Sequence, residues 1–469
     1  MLFNSPAFAV FLPIMLAAYW AVRGSTRRAV LLAGSYFFYA WWDWRFLALL
    51  LISTVVDFCC ARTIDRARDN AATAARARLL LAVSVVTNLG ILASFKYFNF
   101  FRDSVAAGLA LCGVSTDLPG LDVMLPMGIS FYTFQTMSYT IDVYRGKASE
   151  KSLLSFAVFV ACFPQLVAGP IMRAGKLLPQ INRDAAPGDV DLSQGVYRIF
   201  RGLFKKMVVA DALALYVDQV FAAPADYSGV AAWIALYAYA FQIYMDFSGY
   251  TDVAIGVGRL LGFRFTENFD RPYLAASPSE FWRRWHITLS TWLRDYLYIP
   301  LGGSRNGTSK TMRNLFLTMA LGGLWHGAAW TFVAWGVYHG ILLAGERGLG
   351  LRRSQSNVED TPWSTQAVRI LVMFHLTCLG WLLFRAPDWG TAHTLFANLF
   401  DFGAGDVRGL RCLTIVLACA AAHALPAFRD FGDRFARVPY VGQGILAGLC
   451  MWALLLLSPS AKPFIYFQF

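Results

Sequence analysis

Long apolar runs separated by short polar stretches dominate the chain. Crossing a bilayer core takes about 20 largely apolar residues. Runs of that kind lie near 8–22, 29–60, 79–98, 123–143, 153–169, 196–221, 230–247, 314–344, 368–383, 410–425 and 441–457. The stretch 29–60 is too long for one crossing, and Trp41-Trp42-Asp43-Trp44-Arg45 in its middle predicts an interfacial turn. With no internal repeat and no low-complexity linker, the pattern predicts an all-α polytopic integral membrane protein. It would have about ten to twelve transmembrane helices in a single membrane domain, 1–469.

The polar stretches orient these runs. Arg23, Arg27 and Arg28 mark one basic loop, and Arg62, Arg66, Arg68, Arg76 and Arg78 the next, as expected of loops retained on the cytoplasmic side. Between them the chain must go out and back, which places the N-terminus outside. Lys147 and Lys151 precede, and Arg173, Lys176 and Arg183 follow, the apolar run at 153–169. Both its flanks therefore face inward. The run ends in Phe163-Pro164-Gln165-Leu166-Val167-Ala168-Gly169-Pro170, rich in helix breakers, and predicts a re-entrant segment. Irregular backbone at such depth is tolerated only where protein or a water-filled cavity surrounds it.

Composition sharpens the class. Hydrophobic residues make up 57% and charged residues 15%, against about 25% charged in ordinary globular chains. The net charge of +12 comes from basic residues scattered between apolar runs, which argues against a nucleic-acid partner and for the lipid bilayer. The eight Cys lie mostly in apolar stretches with no CxxC pair, and read as buried small hydrophobes rather than disulfides or metal ligands. Met1-Leu2-Phe3-Asn4-Ser5 lacks the basic region of a cleavable signal peptide, so the first apolar segment is expected to be retained.

Candidate chemistry begins at Ser277-Pro278-Ser279-Glu280, a capping-box start with Pro at the first helical position. On a continuous helix, Phe281, Trp282, Trp285, Leu289, Trp292, Leu293 and Tyr296 share an arc of about 120°. Arg283, Arg284, Ser290, Thr291, Arg294 and Asp295 lie opposite, and only Ile287 falls on the wrong side. The pattern predicts an interfacial amphipathic helix with His286 on the boundary between faces. The plainer alternative is a surface histidine. In the run 314–344, Gly322-Gly323 predicts an interruption just before Leu324-Trp325-His326-Gly327. Counted from Asn314, His326 lies about 18 Å along a helix, near the midplane of the bilayer. An ionisable group there points to function by default, the alternative being a satisfied core histidine. His339, 13 residues on, falls about 220° around a continuous helix, off the His326 face. His375, His393 and His423 sit in contexts that read as structural.

Asp246 and Asp252 are also embedded acids, expected mainly to form ion pairs, with Arg283, Arg284 or a histidine as partner. No GxSxG, P-loop or HExxH is present, and the Gly256, Gly258 and Gly262 spacing does not fit a dinucleotide loop.

The run from Glu280 to Ser290, followed by Trp292-Leu293-Arg294-Asp295-Tyr296-Leu297-Tyr298-Ile299-Pro300-Leu301-Gly302-Gly303, resembles the signature of the membrane-bound O-acyltransferase (MBOAT) family. So do Gly323-Leu324-Trp325-His326-Gly327-Ala328, Pro126-Met127-Gly128-Ile129-Ser130-Phe131, Phe163 to Pro170, and Gln242 to Tyr250. More narrowly, the chain is similar to a bacterial branch with alginate-acetylating and teichoic-acid D-alanylating members. The motif-bearing core is about 123–347, and the Phe-rich end 464–469 also looks family-like.

The resemblance implies an O-acyltransferase, with acetyl as the expected acyl group, acting in the bacterial inner membrane. It implies re-entrant and interfacial helices around a central funnel, with His326 as principal and His286 as second active-site histidine. Trp325, Arg283, Arg284, Asp246 and Tyr250 would line the substrate site. No bound cofactor or metal is expected. The donor would be acetyl-CoA or an acyl carrier protein thioester met on the cytoplasmic side. A periplasmic SGNH-hydrolase-like acetyltransferase and a polysaccharide synthesis complex are the implied partners. Neutral His326 would take the hydroxyl proton as the hydroxyl attacks the thioester, a contribution of typically about 10²–10⁴-fold. His286, Trp325 or Tyr250 would steady the oxyanion. A polysaccharide or lipid transporter relaying protons through embedded His and Asp is the rival class. It would require inverted repeats with broken helices in both halves, and no such symmetry is seen.

Overall fold

The computed structural model describes residues 1–68, 72–351, 362–401, 409–425, 431–457 and 464–465. Every regular element among the described residues is helical. The chain divides into two compact units, Met1–Gly195 with Ala254–Thr266, and Val196–Val253 with Glu267–Phe469.

The first unit is built on α1 (Pro6–Ala21), α2 (Gly24–Ala40), α3 (Leu47–Ala67), α4 (Ala74–Leu92), α5 (Phe98–Leu111) and α6 (Ile129–Tyr144). Ser5 caps α1 by accepting the Phe8 N–H, with Pro6 in the first turn where its missing N–H costs nothing. The Trp-rich turn forms as expected: α2 stops at Ala40, and Asp43 caps a short 3-10 turn over Trp44–Phe46 while pairing with Arg45 at 2.6 Å. A π-turn over Ala93–Tyr97 joins α4 to α5 into one apolar rod, Ala74–Leu111. Where α3, α4 and α6 meet, the fully buried Asp57 carboxylate accepts from Ser84, Asn88 and Thr140, and Asn88 in turn accepts from Ser53 and Thr136. A carboxylate in apolar surroundings needs such a shell of donors.

At 153–170 the chain forms two short helices, α7 (Leu153–Ala161) and the one-turn α8 (Phe163–Leu166). Nine residues rise only about 13 Å, too little to cross. Side chains serve the broken backbone: Gln135 and Gln165 both donate to the Phe159 carbonyl, and Ser35 accepts the Phe163 N–H. Gly128 (φ 74) packs so closely here that a Cβ would lie 2.7 Å from the Leu166 carbonyl. After α9 (Ala174–Asn182), the arginine of the first basic loop, Arg27, pairs with Asp184 and donates to the Tyr19, Val22 and Ala185 carbonyls.

The remaining helices are α10 (Leu192–Leu203), α11 (Asp211–Ala222), α12 (Gly229–Leu260), α13 (Pro278–Arg284), α14 (Ile287–Leu293), α15 (Thr308–His326) and α16 (Trp330–Gly348). They are followed by α17 (Trp363–Arg385), α18 (Trp389–Asn398), α19 (Leu410–Ala424), α20 (Phe431–Ala436) and α21 (Tyr440–Leu457). In the second unit α10 meets α12 at Gly202 and Gly249, where a Cβ on either would fall within 2.7 Å of the other's carbonyl. A π-turn over Phe204–Ala210 follows. It sends adjacent lysines apart, Lys205 to Asp252 and Ser248, and Lys206 to Asp211 and Asp246.

Four helices among the described residues are long and apolar enough to cross a membrane: Trp44–Ala67, Ala74–Leu111, Gly229–Leu260 and Trp363–Arg385. Shorter apolar helices lie at Pro6–Ala21, Leu410–Ala424 and Tyr440–Leu454. Much of the remaining apolar sequence is spent on short, broken helices, α7, α8, α13 and α14 among them, with most of their residues buried inside protein. The chain is a multi-pass membrane protein.

Candidate active site

The site assembles in the second unit from α12, the extended segment 268–270, the α13–α14 corner and the α15–α16 hairpin. Ser277 caps α13 by accepting the Glu280 N–H, and the Glu280 carboxylate accepts the Ala276 N–H. From α16, Glu346 accepts both the Ser279 N–H (2.9 Å) and its hydroxyl (2.8 Å). An anion at a helix N-terminus is stabilising, and this one ties α13 to α16.

The amphipathic helix expected from 277 onward is not continuous. It stops at Arg284, Trp285 is extended, and His286 takes the left-handed conformation (φ 41, ψ 54) before α14 starts. Such a φ is uncommon for a residue with a side chain and holds only where neighbours enforce it. Asn268 does so. Its backbone carbonyl accepts the Ile287 N–H at 2.9 Å. Its side-chain Oδ1 accepts the Thr288 N–H at 3.2 Å and hydroxyl at 2.8 Å, and lies 3.0 Å from His286 Nδ1. His286 is thereby turned fully inward: Phe247 of α12 meets it edge-on at 4.7 Å, with Phe269 at 6.4 Å and Trp325 at 6.3 Å. Burial pushes its imidazole down to about 3, so it is neutral at physiological pH.

His326 is the last residue of α15, 4% exposed. The expected interruption at Gly322-Gly323 comes instead at Gly327. Gly323 faces Gly336 of α16, and its missing Cβ leaves room for the Phe332 carbonyl, so the helix runs on while the two backbones touch. Trp325 (4.9 Å), Trp335 (5.0 Å) and Phe384 (5.3 Å) enclose the His326 ring. One indole, Trp325, thus lies against both histidines. Because α15 and α16 are separate helices, the continuous-helix angle for His339 does not apply: Trp335 also packs on His339 at 5.0 Å. His339 is fully buried against Phe281 and Trp282, and neither ring nitrogen finds a hydrogen-bond partner among the described residues.

The other expected site residues separate into groups. Asp246 and Tyr250 flank Phe247 on α12. Asp246 pairs with Lys206 at 3.0 Å and accepts the Ile465 N–H, while Phe464 packs on Tyr250 at 4.8 Å and on Phe247 at 5.6 Å. The Phe-rich end therefore reaches α12 through Phe464 and Ile465; residues 466–469 lie outside the described residues. Asp252 is held by Arg198 (2.8 Å), Arg201 and Lys205 (2.8 Å). The expected pairing of Asp246 and Asp252 with Arg283 or Arg284 is thus replaced by cations from α10 and the π-turn. Arg284 turns back to Glu280 at 2.7 Å, and Arg283 is exposed on α13. His375 bridges Tyr237 and the Leu371 carbonyl, His423 accepts the Tyr273 N–H, and His393 is exposed. Among the described residues no three His, Cys, Asp or Glu side chains group as a metal site. Sequence reasoning missed Asn268, whose three partner residues, His286, Ile287 and Thr288, lie 18 to 20 positions away and leave no local signal.

The sequence matches the profile of the membrane-bound O-acyltransferase family over residues 36–384. It is 41% identical to the probable alginate O-acetylase AlgI of Pseudomonas putida, with both chains covered in full. Identity to the peptidoglycan O-acetyltransferase of Helicobacter pylori is 35%, covering 84% of this chain and 78% of that one. For the teichoic acid D-alanyltransferase of Bacillus subtilis it is 26%, covering 57% and 70%. With a buried histidine pair in its second unit and a family match over residues 36–384, the chain belongs to the membrane-bound O-acyltransferases.

Proposed function

We propose that this protein is an O-acetyltransferase of a bacterial inner membrane that acetylates hydroxyl groups in the production of alginate or a closely related exopolysaccharide. The observation that carries the reading is the pair of buried histidines on one indole, His286 and His326 against Trp325. A sugar or protein hydroxyl needs a base to become a nucleophile, and a neutral imidazole in a water-poor pocket is suited to that task. The hydroxyl oxygen bonds to the thioester carbonyl carbon, its proton passes to an imidazole, the C–S bond breaks, and the leaving thiolate takes the proton. Acetyl-CoA or an acyl carrier protein thioester is the donor. The exposed cations Arg283 and Arg305 favour an anionic donor. An SGNH-hydrolase-like acetyltransferase and the polysaccharide synthesis complex are the proposed partners on the acceptor side. The relatives named for alginate and peptidoglycan acetylation support the acetyl group and a polymeric acceptor.

The test is acetyl-ester content of polymer from a deletion strain complemented with wild type, His326→Ala or His286→Ala, each checked for equal membrane abundance. Loss of about 10²-fold or more in both variants supports the reading. Wild-type ester content in both overturns it.

A further inference from the structure

We infer that Asn268 is a positioning residue that fixes His286 as its Nδ1–H tautomer, so that Nε2 meets the reacting groups as a hydrogen-bond acceptor. The inference deepens the proposed function and rests on His286 being at the reacting centre. A backbone N–H is a donor in every protonation state, so the Asn268 atom 3.2 Å from the Thr288 N–H must be the amide oxygen. The Thr288 hydroxyl, 2.8 Å from the same atom, then donates as well. His286 Nδ1 stands 3.0 Å from that oxygen, a contact that is favourable only if Nδ1 carries a proton. A neutral imidazole has one ring proton, which leaves Nε2 with its lone pair.

The ring contacts that surround the imidazole are aromatic. Its neighbours are Phe247 on α12, Phe269 beside Asn268, and Trp325 on α15. The nearest charged side chains along those segments are engaged or turned outward: Asp246 with Lys206, Arg284 with Glu280, and Asp270 exposed. The Asn268 Nδ2 has no partner among the described residues, so the side chain is held through its oxygen alone. An amide in this place resembles, in logic, the carboxylate that orients a catalytic imidazole, without adding charge. The consequence for the reaction is a division of labour. Neutral His286 accepts a hydrogen bond from the attacking hydroxyl through Nε2 and has no N–H to offer the oxyanion. That donor must come from another group, such as the Trp325 indole.

The experiment uses the full chain in lipid nanodiscs, with ¹⁵N-histidine labelling and His286→Gln to assign the signal. At pH 7 the wild-type His286 signal should show protonated Nδ1 and bare Nε2; protonated Nε2 overturns the inference. Acetyl transfer is followed in membranes with radiolabelled acetyl-CoA as donor probe. Asn268→Leu should lower kcat by about 10²-fold or more, with the donor KM unchanged. Asn268→Asp retains the acceptor oxygen and adds a charge that raises the histidine's proton affinity. It should therefore keep Nδ1 protonated, lose activity at neutral pH and regain it at higher pH. A flat pH response in Asn268→Asp, with kcat unchanged in Asn268→Leu, overturns the positioning role. If His286→Ala retains full activity while the wild-type signal shows Nδ1–H, the tautomer stands and His286's place in the reaction falls.

Discussion

Replacing Asp252 by Asn keeps size and shape but removes the charge at the centre of the ion cluster in the second unit. The carboxylate is 5% exposed and accepts from Arg198, from both Nε and an Nη of Arg201, and from Lys205. Its cations are themselves only 14%, 31% and 19% exposed. Glu267 neutralises one of them, Arg198, from the more open side. Without Asp252, the Arg201 and Lys205 charges stay in a semi-buried place with no counter-charge, and an amide N–H₂ is turned toward donors. Breaking a buried pair in this way costs about 3–5 kcal/mol. At roughly 2 °C per kcal/mol for a unit of about 260 residues, melting should fall by about 6–10 °C. Thermal unfolding in detergent, followed by fluorescence-detected size exclusion, measures it. Adding Arg201→Gln to Asp252→Asn removes one stranded charge and should recover part of the loss. A melting change under about 1 °C in Asp252→Asn would refute the reasoning, as would no recovery in the double variant.

Gly336→Ala should separate α15 from α16, because its Cβ would sit 2.3 Å from the Met319 carbonyl. A loss of about 1–3 kcal/mol in stability and a fall in acetyl transfer are expected, read by melting and ester content. Glu346→Gln should cost about 1 kcal/mol by weakening the anion at the start of α13, with transfer reduced because α13 leads into His286. His286 has a folded-state value near 3 against about 6.5 unfolded, so the unfolded chain binds the extra proton first and stability is lost as pH falls below about 6.5. At pH 5 that amounts to about 2 kcal/mol. Melting measured from pH 7.5 to 5 should therefore fall less in His286→Gln than in wild type.

Hydropathy made the helical class legible, and Trp41–Arg45, the Pro164–Gly169 breakers and Ser277 marked real ends and starts of helices. Helical periodicity misleads at 277–296 because the helix there is not continuous. Ile287, the one residue off the apolar arc, is where α14 begins after the left-handed turn at His286. That turn is imposed by Asn268 through contacts far away in sequence, which no local window can register. The double glycine predicts a break but serves close helix approach, since what matters at Gly323 is the backbone opposite it. The charge partners of Asp246 and Asp252 are hidden from a local window for a similar reason. Their cations come from α10 and a π-turn whose register shift has no composition signature.

The π-turn over Phe204–Ala210 is a helix carrying one residue more than its ordinary register accommodates. Lys205 and Lys206 are neighbours in sequence yet answer to separate acids, so neither can substitute for the other. A single-residue deletion here would restore regular winding and rotate one lysine off its carboxylate. Length, more than residue type, is what this stretch cannot lose.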